Sequence, residues 1–119
     1  MLTRQMILDY AAERYGVSPD FPWAKHPAYA VLRHRAAHRR WFALLMNIPA
    51  AKLGLPNGSD TEIINLKCEP ALLGGLRQSS GVYPAYHMNK EHWVSLDLNS
   101  DFAAEEVLRL LDLSFDLTR

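Results

Sequence analysis

The first hydrophobic pattern in the chain has helical period. Ile7, Tyr10, Ala11 and Arg14 share one face, Thr3 stands at the N-cap position and Gly16 supplies a stop, so a helix is predicted over residues 4 to 15 before Ser18-Pro19 turns the chain. Residues 21 to 27 carry two prolines and Trp23, which suits an irregular connection lying against the core. From Tyr29 the period changes to two, and residues 41 to 48 form a strongly apolar run of β type. These two runs predict an antiparallel hairpin. Its connection lacks an Asn-Gly or Asp-Gly pair, so a longer, projecting loop is expected.

After Pro49 the pattern gives a short helix-or-loop piece containing Lys52, a turn at Pro56-Asn57-Gly58 and a strand around Ile63, Ile64 and Leu66. Pro70 opens a second helix through Leu72, Leu73 and Leu76, although Gly74 and Gly75 each cost about 1 kcal/mol relative to alanine inside a helix. A strand follows at His92 to Leu98, and a last helix is expected from Ser100 or Asp101, with Ala104, Val107, Leu108, Leu111 and Phe115 on one stripe. The order is α, β, β, β, α, β, α, with room for an extra short strand near residues 82 to 86. No repeat, linker or low-complexity segment interrupts it.

At 119 residues, 49% of them hydrophobic and 22% charged, the composition suits a single globular domain over residues 1 to 119. Cys68 is the only cysteine, which excludes an internal disulfide and a cysteine-rich zinc site. The N-terminal residues meet charge too early for a signal-peptide core, and no apolar run approaches the roughly 20 residues that span a bilayer. A cytoplasmic, monomeric protein with no membrane partner is therefore expected.

The formal net charge is zero, but its distribution is uneven. Residues 1 to 52 hold eight Lys and Arg against three Asp and Glu, whereas residues 97 to 119 hold two against six. The centre of the basic half is Arg33-His34-Arg35-Ala36-Ala37-His38-Arg39-Arg40. Guanidinium groups suit phosphate oxygens because they are planar, permanently charged and donate in pairs, and a hairpin can straddle a groove. The plain alternative is a solvated loop whose charges keep an edge strand soluble.

A second cluster, His87-Met88-Asn89-Lys90-Glu91-His92-Trp93, packs polar groups ahead of a strand. With no third ligand fixed near His87 and His92, it is not a metal motif, and no nucleophile or oriented carboxylate accompanies either histidine. The structural reading makes Asn89 a turn residue, Trp93 a core residue and His92 either an outward residue or one that satisfies a buried hydrogen bond. Cys68 beside Lys67 reads as a buried structural thiol. No phosphate-binding glycine loop, nucleophile elbow or carboxylate pair is present, so no catalytic residue or cofactor is assigned and the chain is expected not to be an enzyme.

Several stretches together resemble the MmcQ/YjbR family of small bacterial proteins. They are Tyr15-Gly16-Val17-Ser18-Pro19, Phe21-Pro22-Trp23, Ala30-Val31-Leu32-Arg33, Lys52-Leu53-Gly54-Leu55, Ile64-Asn65-Leu66-Lys67-Cys68, Tyr86-His87-Met88-Asn89-Lys90 with His92-Trp93, and Asp112-Leu113-Ser114-Phe115-Asp116-Leu117. The resemblance implies an α+β two-layer sandwich of the CyaY/frataxin-like kind, an antiparallel sheet with helices packed on one face. It also implies a DNA-binding role through protruding hairpin wings.

Carried onto this chain, the wing would use Arg33, Arg35, His38, Arg39 and Arg40 on duplex DNA, helped by Lys52 and Lys90. Ala36-Ala37 at the tip and Gly74-Gly75 in the second helix depart from the expected pattern. The iron binding that a frataxin-like fold suggests is not expected, because the first helix offers only Asp9 and Glu13 beside Arg4 and Arg14. The competing expectation is a protein-interaction or small-molecule-binding domain that uses Tyr86, His87, Asn89, His92 and Trp93, with Tyr83 nearby.

Overall fold

The computed structural model describes residues 2–56 and 58–119. Its elements run α1 (Arg4–Tyr15), β1 (Ala30–Arg33), β2 (Trp41–Pro49), a 3-10 turn (Ala50–Leu53), β3 (Asp60–Lys67), α2 (Pro70–Leu76), β4 (Val82–Pro84), β5 (Trp93–Asp97) and α3 (Ala104–Thr118). The five strands form one antiparallel sheet in the order β1-β2-β3-β5-β4. The expected element order holds, and the short strand near residue 82 is present. Asn57, in the expected turn at Pro56-Asn57-Gly58, lies outside the described residues.

Local chemistry accounts for most boundaries. Thr3 Oγ1 accepts from the Met6 amide at 3.2 Å, and Gly16, at φ +67°, closes α1 by donating to its last carbonyls. The last helix begins later than expected. Ser100 Oγ donates to the Asp97 carbonyl at 2.6 Å and accepts from the Phe102 amide at 3.2 Å, which makes a turn of the segment expected to start the helix. Helix α3 therefore starts at Ala104, with Glu105 and Glu106 at its positive end.

The helices cover one face of the sheet. Ile7 and Ala11 of α1 and Val107, Leu110 and Leu111 of α3 share a core with Leu32, Leu45, Ile64, Leu66, Val94 and Leu96. The opposite face has a smaller core of its own. Val31, Leu44, Met46, Ile48 and Ile63 are buried there without a helix above them, covered by Trp23, Tyr29, Trp41, Leu53, Tyr86 and Met88.

One irregularity decides what that second face contains. Leu32 pairs with Ala43 but Arg33 pairs with Trp41, so Phe42 has no partner on β1 and forms a bulge. Phe42 and Ala43 consequently both point to the helices, and Trp41 is turned to the open face with Leu44 and Met46. Strict alternation would have placed the indole under the helices.

Candidate functional site

The basic hairpin tip is less free than its sequence implies. Arg33 is the last residue of β1, half-buried, and its Nε donates to Asp20 Oδ2 at 2.5 Å. It is a strand residue with a counter-ion, not part of a projecting tip. Asp20 reaches it because the Asp20 and Val31 backbones exchange hydrogen bonds of 2.9 and 2.8 Å, which fold residues 20 to 29 along the outer edge of β1. The tip itself is the turn from Ala36 to Arg39, closed by the Arg39 amide donating a hydrogen bond to the Ala36 carbonyl at 3.0 Å.

The loop is also tied down from beneath. His34 is buried among Phe42, Phe115 and His38, with its Nε2 2.7 Å from Thr118 Oγ1. That hydroxyl donates to the Ser114 carbonyl at 2.8 Å, so it is free to accept from an imidazole N–H at Nε2. Burial, and then the nearby His38, hold the His34 pKa below its ordinary value. Arg35 reaches back to the Gly16 carbonyl at 3.4 Å. Arg35, His38, Arg39 and Arg40 are exposed, and Arg39 is 3.8 Å from Asp20. Arg35 and Arg40 have no carboxylate in salt-bridge range among the described residues.

Lys52 and Lys90 stand elsewhere. Lys52 lies on the 3-10 turn after β2, Lys90 lies in the loop between β4 and β5, and both line a shallow depression of about 390 Å³ with Tyr83, Tyr86 and His87. That loop is well braced. Asn65, fully buried on β3, donates from Nδ2 to the Tyr86 carbonyl at 2.9 Å, while Ser95 Oγ donates to Asn65 Oδ1 at 2.5 Å and accepts from the Tyr86 amide at 2.9 Å. His87 follows at φ +58°, a left-handed conformation that turns the chain, and the Arg77 guanidinium holds the Lys90 carbonyl.

The residues expected to form a ligand surface divide. Tyr86 and His87 line a cavity. Asn89 serves as a turn residue, its side chain accepting from the Glu91 amide and its carbonyl from the His92 and Trp93 amides. His92 is exposed on a separate groove beside Arg77, and Trp93 is a half-buried residue of β5 paired with Lys67.

The cavity that Tyr86 and His87 line opens on the sheet face away from the helices and has a volume of about 420 Å³. Its floor is Leu44 and Met46 of β2, with Trp41 beside them through the Phe42 bulge. Its other walls are Trp23, His26 and Tyr29 from the segment along the β1 edge, and Met88 beside Tyr86. Trp23 meets Trp41 edge to face at 5.6 Å and Tyr29 at 6.1 Å, and His26 stacks on Tyr29 at 4.4 Å. Burial, and then the Tyr86 hydroxyl, push the Tyr29 phenol above its ordinary pKa.

Reading the sequence alone misses Trp23, His26, Tyr29, Trp41 and Met88 as cavity residues. The available signal was the aromatic density of residues 21 to 29, since an irregular segment that keeps Phe21, Trp23 and Tyr29 must cover apolar surface somewhere. Cys68 is 4% exposed, and burial pushes its thiol pKa up, as befits a structural residue. Among the described residues no group of three or more His, Cys, Asp and Glu could hold a metal ion. No helix of the described residues is long and apolar enough to cross a membrane.

The family profile named YjbR matches residues 12–117, which take in the whole sheet, α2, nearly all of α3 and the last turn of α1. The chain belongs to the YjbR family. A YjbR-type relative, the uncharacterized protein YyaQ of Bacillus subtilis, is 44% identical over 119 residues and is covered completely, as is this chain. A crystal structure of a Pseudomonas syringae protein superimposes with a TM-score of 0.96 at 48% identity, covering 99% of this chain and 100% of that one. Deinococcus radiodurans protein DR2400 superimposes with a TM-score of 0.76 at 25% identity, over 98% of this chain and 78% of its own. The two-layer α+β arrangement is thus the fold this YjbR chain shares with solved proteins.

Proposed function

We propose that this YjbR-family chain is a non-catalytic cytoplasmic module that binds duplex DNA, using the exposed cations of the β1–β2 turn. The observation that carries the reading is the turn itself. Arg35, Arg39 and Arg40 stand exposed on a loop braced by buried His34, with one carboxylate, Asp20, shared between Arg33 and Arg39. A rigid turn loses little conformational freedom when it meets phosphates, and guanidinium groups donate to them in pairs.

About three phosphate contacts support weak binding with a strong salt dependence, log affinity falling by about 2.7 per log unit of salt. Fluorescence anisotropy with a labelled duplex tests this at several salt concentrations. Arg39→Glu combined with Arg40→Glu should lower affinity about tenfold or more and flatten the slope by about 2. Equal titrations for both proteins would refute it. Arg33 is left out of the variant because its guanidinium belongs to Asp20.

A second reading, binding of a small molecule on the open sheet face, is favoured by the aromatic cavity. Its volume of about 420 Å³ falls in the range of ligand sites, and its walls are apolar with a few polar groups at the rim.

A further inference from the structure

The aromatic cavity and the shallow depression beside it are neighbours that share Tyr86 and His87 as a common wall. Taken together they form a two-part groove with Tyr86 and His87 between the parts. Its titratable side chains are two lysines, two histidines and three tyrosines, and among the described residues no Asp or Glu lines either part. In a chain with as many acidic as basic residues this is selective. The other three depressions described on the surface are all lined by at least one carboxylate.

We propose that this groove binds a phosphorylated planar heterocycle, as in a nucleoside monophosphate. The ring enters the cavity among Trp23, Tyr29, Trp41 and Tyr86, and the phosphate lies in the adjoining depression between Lys52 and Lys90. This rests on the small-molecule reading and gives it a ligand class. The edge-to-face indoles and phenols offer π-surfaces on several sides, which suits a flat aromatic ring better than a branched aliphatic one.

A cage of tryptophan and tyrosine can also hold an ammonium ion. Here the rim opposes that. Lys52 and Lys90 would repel a cation, among the described residues no carboxylate lines their depression or pairs with them within 4.0 Å, and the same two ammonium groups attract phosphate. The phosphate end is exposed and the ring end is walled, so the ring supplies shape recognition and the lysines supply charge.

The groove also has the rigidity such recognition needs. The Asn65 and Ser95 side chains hold both backbone groups of Tyr86, and Arg77 holds the Lys90 carbonyl, so the backbone that carries the Tyr86 ring and the Lys90 side chain is set before the ligand arrives.

The test is titration of the full chain with adenosine, guanosine, cytidine and uridine monophosphates. It is followed by intrinsic fluorescence, because Trp23 and Trp41 line the cavity, and by calorimetry. At least one monophosphate should bind. Its nucleoside, inorganic phosphate and choline should each bind at least about tenfold more weakly. Lys52→Glu with Lys90→Glu, both at exposed positions, should weaken the monophosphate about tenfold while the fold, checked by thermal melting, persists. Trp23→Leu should weaken nucleoside and monophosphate alike.

A 5′-phosphorylated single-stranded oligonucleotide that binds tighter than the monomer and competes with it would identify the source as an unpaired strand end. A monomer that binds at least as tightly would identify a free nucleotide. Both outcomes keep the chemistry. No binding by any monophosphate, tighter binding of choline, or indifference to the lysine reversal would overturn it. Duplex affinity without nucleotide affinity would overturn the groove assignment and leave the hairpin reading standing. Nucleotide affinity without duplex affinity would support the groove and remove the hairpin reading.

Discussion

Replacing Asn65 by alanine removes both ends of a buried bridge. The Asn65 amide donates to the Tyr86 carbonyl and accepts the Ser95 hydroxyl proton, and all three groups sit on the open face where the loop after β4 folds over the sheet. Asn65 and Ser95 are both fully buried. Without the amide, the Ser95 hydroxyl and the Tyr86 carbonyl lose partners in a site that water reaches poorly, at about 1–3 kcal/mol for a group left unsatisfied. The vacated side-chain volume adds to this, so a loss of about 3 kcal/mol is expected.

Urea denaturation measures this as a lowered midpoint with an unchanged slope. A double-mutant cycle with Ser95→Ala isolates the pair, with a coupling of about 1 kcal/mol expected. Exchange of the Tyr86 amide proton should also accelerate, because the Ser95 hydroxyl that accepts it is no longer oriented by Asn65. A loss below about 0.5 kcal/mol, or additive single effects, would refute the reasoning that this bridge holds the loop.

Three further outcomes follow from particular residues. Gly81→Ala should destabilise by about 2–4 kcal/mol in the same denaturation assay, because φ is +84° and the added methyl would stand 2.1 Å from Ser100 Oγ. The His34 pKa lies below the unfolded value of about 6.5, so the fold favours the neutral ring. The stability it contributes is present above that value and is lost as pH falls through the folded pKa. Urea midpoints from pH 7.5 to 5 should drop for the wild type and drop less for His34→Gln. Asp20→Asn removes the carboxylate shared by Arg33 and Arg39, so duplex affinity by anisotropy should rise about threefold or more, with a steeper salt slope.

The elements were legible where the signals that build them are local. Thr3 and Gly16 bracket α1 within one segment, Pro70 starts α2, and the apolar run after Trp41 is β2 on any period-two reading. The start of α3 was misread because Ser100 suits an N-cap by type, whereas tertiary position commits its hydroxyl to the Asp97 carbonyl. The open face was illegible for a different reason. The Phe42 bulge depends on how β2 meets β1, and that single unpaired residue carries Trp41 from one face to the other.

The candidate sites were legible in the same measure. Tyr86 and His87 stood in a conspicuous stretch and do line the cavity, but their companions Trp23 and Tyr29 come from the segment before β1 and Trp41 from β2. Asn89 is the turn residue that the structural reading expects, and not the ligand contact of the competing one. Arg33 looked like the root of a basic tip because its partner Asp20 is thirteen positions away, brought near by a backbone bridge that no spacing rule announces.

The central claim, that this YjbR-family chain contacts nucleic acid at the β1–β2 turn, is tested most directly by amide chemical shifts. Isotope-labelled protein titrated with a short duplex at low salt should show its largest shifts at residues 35 to 40, fading as salt is raised. Shifts that avoid this turn, or a spectrum that does not change at saturating duplex, would contradict the claim.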